Sequence, residues 1–204
     1  EIDRLGAAWA IILGGTSAVS PGVEATLAGR LGVGNVRRIA GGNRFETSAK
    51  IASEVMADPA WDGSAFYATG NNFPDALGAS AIAAAEGMPI LLTELSALPA
   101  ATAAVDDAVQ HGYIVGGVGV VGPAVETALR SRMTVLRLAG SNRYETAKAV
   151  VEYATGAWGT SLARVGVASG TNFPDALAAG VAMGVAGQGQ LLTAPTALSS
   201  TTRL

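Results

Sequence analysis

Gly70-Asn71-Asn72-Phe73-Pro74-Asp75-Ala76-Leu77 returns as Gly170-Thr171-Asn172-Phe173-Pro174-Asp175-Ala176-Leu177, 100 residues later, and this return sets how the whole chain is read. Self-similarity at a fixed period marks a repeat architecture. Working outward, Arg38-Ile39-Ala40-Gly41-Gly42-Asn43-Arg44-Phe45-Glu46-Thr47 is echoed by Arg137-Leu138-Ala139-Gly140-Ser141-Asn142-Arg143-Tyr144-Glu145-Thr146 at an offset of 99. Leu91-Leu92-Thr93 returns as Leu191-Leu192-Thr193, and Ile12-Leu13-Gly14-Gly15 as Ile114-Val115-Gly116-Gly117. Counted from the arginine block, residues 1–37 are the closing third of a repeat, 38–136 a complete repeat, and 137–204 a repeat lacking its closing third. The frame therefore predicts two repeat equivalents cut from a longer chain.

Short apolar runs alternate with helical patterns through both copies. Strands are expected at 8–13, 36–40, 65–69, 90–93, 113–116, 135–139, 164–169 and 190–193, each followed by Gly, Thr or Ser. Helices are expected at 21–31, 44–56, 73–86, 99–110, 123–132, 143–155 and 173–187. Near-continuous apolar strands alternating with helices argue an α/β fold, with mainly parallel sheets flanked by helices on both faces. Every repeated motif then falls where a strand's carboxyl end turns into a helix. That is the rim at which open α/β sheets bind ligands.

Composition excludes several classes of function. Of 204 residues only 14% are charged, against about 25% in an ordinary soluble domain, and 50% are apolar, so disorder is excluded. Apolar runs stay short of the ~18 residues that a membrane helix needs, since Glu86 interrupts the longest of them. A formal charge of -3 disfavours nucleic-acid binding through a general basic field, so any anion must be held by a few local groups. With no Cys and one His there is no disulfide, no thiol chemistry and no multi-histidine metal site, and no cofactor motif stands up. Glu1-Ile2-Asp3-Arg4 is not a signal peptide. His111, taken as a helix end before Gly112, reads as a surface residue.

The motifs divide between helix caps and contact groups. Asn43 with Glu46, and Asn142 with Glu145, have the spacing of a capping box, which accounts for the acids without catalysis. Arg44 and Arg143 remain. A guanidinium in the first helical turn faces the positive end of the dipole and wants an anionic partner. Asp75 or Asp175 of the same chain and a ligand carboxylate or phosphate are both open partners. In the second motif Asn72 and Asn172 read as caps, Pro74 and Pro174 as first-turn residues, Asp75 and Asp175 as dipole partners, and Phe73 and Phe173 as packing. Gly117-Val118-Gly119-Val120-Val121-Gly122 fits the dinucleotide pattern G-x-G-x-x-G, yet no acid ends the next strand and the other copy keeps only its first glycine.

Taken together, Arg-Ile/Leu-Ala-Gly-x-Asn-Arg-Phe/Tyr-Glu-Thr, Gly-x-Asn-Phe-Pro-Asp-Ala-Leu, Pro89-Ile90-Leu91-Leu92-Thr93 and Val/Leu-Gly-Gly resemble the cell wall binding repeat 2 family. Modules of that family anchor clostridial surface-layer proteins. The resemblance implies an open α/β sandwich, three modules in tandem about a pseudo-threefold axis, and noncatalytic, extracellular binding of an anionic secondary cell-wall polysaccharide. A fused domain of the parent chain would carry the activity. The contact region carries over to Arg44, Arg143, Asn72, Asp75, Asn172, Asp175, Thr93 and Thr193, with Arg38 and Arg137 as further cations. The second copy departs from the pattern at Gly189-Gln190, where Pro-Ile would stand. Two other readings follow from the residues: an enzyme or nucleotide-binding domain using Asp75 or Asp175 as base at the rim, and a self-associating homo-oligomer burying the Ala79 to Ala85 helix face.

Overall fold

The computed structural model describes residues 2–202; Glu1, Arg203 and Leu204 lie outside the described residues. In chain order the elements are α1 (Ile2–Leu5), β1 (Ala10–Leu13), α2 (Pro21–Leu31), β2 (Val36–Ile39), α3 (Arg44–Met56), β3 (Ser64–Thr69), α4 (Pro74–Ala85) and β4 (Ile90–Thr93). They continue with α5 (Ala100–Ala103), β5 (His111–Val115), α6 (Pro123–Arg130), β6 (Thr134–Leu138), α7 (Arg143–Ala157), β7 (Ser161–Ser169), α8 (Pro174–Val185) and β8 (Gln188–Thr193). All pairings are parallel. A four-stranded sheet runs β4-β3-β5-β6, and two-stranded sheets are formed by β1-β2 and by β7-β8.

The repeat explains the unequal sheets. β1-β2 corresponds to β5-β6, and β7-β8 to β3-β4, so each small sheet is one half of the large one. In the large sheet Phe66 of β3 stands between Ile90 of β4 and Tyr113 of β5. Successive side chains on a strand point to opposite faces. Tyr67, Leu91 and Ile114 accordingly pack on one face with Ala52 of α3 and Val125 and Leu129 of α6. Phe66 and Val115 pack on the other with Ala79 and Ile82 of α4 and Val150 and Ala154 of α7. Both faces of the large sheet are covered, as the apolar strands required.

The repeats are joined through α4 and α8. Ala176, Gly180 and Gly184, four residues apart, form the buried stripe of α8. A Cβ on Gly180 would lie 2.1 Å from Ser80 Oγ, and one on Gly184 2.5 Å from Ala84 Cβ and 2.8 Å from the Ala81 carbonyl. The helix backbones touch because these residues carry no side chain. Gln190 Nε2 adds a buried hydrogen bond to the Leu77 carbonyl at 3.2 Å. The Ala79 to Ala85 face is thereby largely buried inside the chain, which removes it as a surface for self-association.

Other expectations need correction. The helix at 99–110 breaks after Ala103 and resumes as a 3-10 turn over Asp106–Ala108. There Asp106 turns inward, fully buried, to meet Arg132, which an unbroken helix would prevent. His111 opens β5 instead of closing a helix, and it is exposed. The short α1 was not expected at all.

Arg38 and Arg137 are structural residues. Arg137 binds Glu126 at 2.7 Å and donates to the carbonyls of Gly116 at 2.6 Å and Val121 at 2.9 Å. Arg38 repeats this with Glu24 at 2.9 Å and the Gly14 carbonyl at 2.6 Å. Both guanidiniums hold the glycine loop after the neighbouring strand, which takes them out of the set of ligand cations. Hydrogen bonds from Arg137 and Arg130 hold the Glu126 carboxyl below its usual range. A depressed folded pKa contributes stability above the unfolded value of ~4.3 that is lost as pH falls through the folded value. Arg137→Met is expected to cost about 1–2 kcal/mol at pH 7. The cost should shrink below about pH 4, which urea unfolding at the two pH values will measure.

Candidate functional site

The order β4-β3-β5-β6 reverses direction between β3 and β5, since β4 lies on one side of β3 and the chain returns on the other. Open α/β sheets bind ligands outside the strand carboxyl ends at such a point. A polar cleft of about 270 Å³ lies there. The turn after β3 (Asn72, Asp75), the loop after β5 (Gly117, Gly119) and the start of α7 (Ser141, Arg143) line it. Turn and loop belong to the complete repeat and the α7 start to the next one, so the cleft is built across the repeat junction.

The arginine block is fixed by its caps. Asn142 Oδ1 accepts from the N–H groups of Tyr144 at 2.9 Å and Glu145 at 3.0 Å. Glu145 reaches the N–H of Ser141 at 2.8 Å, one residue before the cap, and these bonds hold its carboxyl below the usual range. Asn43, Glu46 and Gly42 repeat the arrangement. The capping box is therefore present in both copies with its acid reaching one residue further back than the spacing implied. Gly140 makes this possible: a Cβ there would lie 2.1 Å from Glu145 Cβ and within 3 Å of its backbone.

Arg143 Nη1 donates to the Gly170 carbonyl at 2.5 Å, and Arg44 Nη1 to the Gly70 carbonyl at 2.6 Å. Among the described residues neither forms an ion pair; Arg44 is exposed and Arg143 half-buried. The backbone bond orients each guanidinium while leaving most of its five donors unused. Among the described residues no carboxylate is within ion-pair distance of either arginine, although the Arg143 charge acts on Asp75 across the cleft.

The Asn-Phe-Pro-Asp turn departs from the sequence reading. Asn72 Oδ1 accepts from the next residue's N–H, that of Phe73 at 2.9 Å, and Asn172 does the same with Phe173 at 3.0 Å. Phe73 and Phe173 occupy the cap positions themselves, so the asparagines are not helix caps. The two phenylalanine rings meet each other, centroids 5.7 Å apart, which bears out packing. Asp75 is 9% exposed, lines the cleft and has no hydrogen-bond partner among the described residues. Burial pushes its pKa up, and the charge of Arg143 pulls it partly back.

The remaining contact residues are scattered. Thr93 is fully buried and its hydroxyl points to the Ala68 carbonyl, away from any cleft. Thr193 is tied to its own loop at Ala197 and Ser199. Asn172 and Asp175 are exposed, with no arginine block beside them. Arg44 borders a depression of about 560 Å³ with Gly14, Gly15 and Asn43, and on its other side a hollow of about 550 Å³ with Asn72 and Phe73; Asp75 lines neither. Sequence reasoning missed Gly117, Gly119 and Ser141. The first two were set aside with the dinucleotide pattern, although the same loop walls the cleft. Among the described residues no group of three His, Asp or Glu could hold a metal ion, and no helix is long and apolar enough to cross a membrane.

Comparison with known proteins agrees with this geometry. The chain matches the family model described as Cell wall binding domain 2 (CWB2) over residues 38–126 and 137–203. It is 34% identical to the N-acetylmuramoyl-L-alanine amidase LytC of Bacillus subtilis (strain 168) over 170 residues, 82% of this chain and 32% of the relative. It is 36% identical to the amidase enhancer of the same organism over 142 residues, 70% of this chain and 18% of that protein. Among solved structures, Cwp8 from Clostridium difficile is similar with a TM-score of 0.79 and 34% identity, covering 94% of this chain and 32% of that one. Cwp6 from Clostridium difficile shares the fold with a TM-score of 0.86 at 24% identity, covering 98% of this chain and 32% of that one. The chain thus spans about a third or less of each relative's length. With two tandem matched segments meeting at the cleft, the chain belongs to the Cell wall binding domain 2 family and is a cell-wall-associated binding module.

Proposed function

We propose that this chain is a noncatalytic tether that holds a secreted or surface protein to an anionic secondary cell-wall polysaccharide, with the cleft at the repeat junction as its principal contact. The observation that carries the reading is Arg143. Its guanidinium is oriented by a backbone carbonyl, free of any acid pair, and opens on a cleft at the head of α7. Helix amino termini and unpaired guanidiniums both favour anions. Arg44 offers a second, more open contact, so one long polymer can engage both and gain avidity. Catalytic activity of the parent protein would lie in a fused segment, in keeping with an amidase among the relatives.

Further repeats are the expected neighbours of this chain. Leu13, Val167, Leu177 and Val181 are half or more exposed, whereas their counterparts Val115, Tyr67, Leu77 and Ala81 are buried. The matching positions in the complete sheet are covered by other strands and helices of the same kind, so a further repeat is the surface these side chains fit.

Binding through a few guanidiniums on an acidic protein must be screened by salt. Affinity for purified anionic wall polysaccharide is expected to fall at least about tenfold between low salt and ~0.5 M NaCl, where the screening length is only a few ångströms. Calorimetric titration reads this directly, and a salt-independent affinity would remove the arginine-centred model.

A further inference from the structure

An anion site has no obvious use for a carboxylate, yet Asp75 stands in the cleft wall. It is 9% exposed, and among the described residues it accepts no hydrogen bond and joins no ion pair. Its charged atoms and those of Arg143 face the same cleft while remaining more than 4 Å apart. The backbone makes room for it: Gly116 adopts φ +110°, and a Cβ there would come 2.7 Å from Asp75 Oδ2. Its oxygens are not sealed off from solvent but open on the cleft, where a carboxylate with no protein donor is met by water or by a ligand.

The same cleft thus offers unused guanidinium donors on one wall and an unused carboxylate on the other. A bare anion satisfies only the first and is repelled by the second. A neutral polyol can hydrogen-bond both walls but leaves the guanidinium charge uncompensated. Resting on the anionic-polymer reading, we propose that the cleft selects a sugar or polyol unit bearing an anionic group, Arg143 taking the anion and Asp75 accepting a hydrogen bond from a neighbouring hydroxyl. The carboxylate then acts as a selectivity element, excluding polyanions that carry no hydroxyl beside the charge. The hollows at Arg44, neither of which is lined by Asp75, lack this discrimination.

Three polymers of matched charge separate the possibilities: poly(glycerol phosphate), the same polymer with its hydroxyls acetylated, and inorganic polyphosphate. The intact chain is expected to bind the first about tenfold more tightly than the other two, the worth of one charge-assisted hydrogen bond. Asp75→Asn and Asp75→Ala should weaken binding of poly(glycerol phosphate) and leave polyphosphate binding unchanged or stronger, because a repelling charge has gone. Equal affinity for all three polymers, or a shift of both polymers in the same direction in the two variants, overturns the inference and leaves the anion reading standing. Arg143→Gln should weaken all three. If it weakens none, or if the intact chain binds none of them, the anion reading falls and takes the inference with it. The acetylated polymer tests the hydroxyl on the unaltered protein, whatever the variants do to folding.

Discussion

Gly184→Val is expected to lower stability by about 3 kcal/mol or more, the cost of overpacking at a site where the obstruction cannot move. In a chain of this size that is a fall of roughly 6–12 °C in the unfolding midpoint. Even the first added carbon meets the Ala81 carbonyl at 2.8 Å and Ala84 Cβ at 2.5 Å, and a helix backbone yields only by moving as a whole. The displaced helix carries the first repeat's aspartate turn, so polymer binding should weaken with stability. Gly156→Ala provides the control. Gly156 lies in α7 with nothing within 4 Å of its added Cβ, and it should stabilise by about 0.5–1 kcal/mol. Scanning calorimetry of the two variants reads both signs; a neutral Gly184→Val would mean that α4 and α8 do not touch as described.

The arginines come next in expected effect, and they are not equivalent. Arg143→Gln should reduce affinity for the wall polysaccharide by about 10–100-fold, the range for a hydrogen-bonded charge lost from a partly enclosed site. Arg44→Gln should reduce it by less than about threefold, as for a charge in an open, solvated setting. The two side chains share sequence context, cap and backbone acceptor. What differs is the far wall: Arg143 faces Asp75, whereas the hollow that Arg44 shares with Asn72 and Phe73 is not lined by that carboxylate. Equal losses in titrations of the two variants would mean that each repeat binds alone.

That difference marks where sequence reading stops. Helices α2 and α3 begin and end where Pro21, Leu31, Arg44 and Met56 predicted, because caps and periodicity are local. All eight expected strands are present, since parallel strands buried on both faces announce themselves as apolar runs. The capping boxes and the family itself were equally legible, and so was a packing role for Phe73 and Phe173, though not that each ring would meet the other across 100 residues. The site was legible only in part. Thr93 matches its motif yet is buried, because β4 turns that side chain inward. Arg38 and Arg137 look like ligand cations until Glu24 and Glu126, 14 and 11 residues before them, fold back onto them. That Asp75 and Arg143, 68 residues apart, line one cleft has no local signature in the sequence. A repeat tells which residues recur; it does not tell which copy supplies each wall.

The spread of the large sheet over consecutive repeats also governs the order in which the nascent chain can assemble. β5 gains its outer neighbour only when β6 has been made, and α4 is enclosed only when α8 follows about 100 residues later. Contacts so distant in sequence form slowly and cannot be completed by one repeat on its own. A polypeptide emerging amino end first would therefore complete the cleft between Asp75 and Arg143, and with it the proposed polymer contact, only after α7 had followed α4 out.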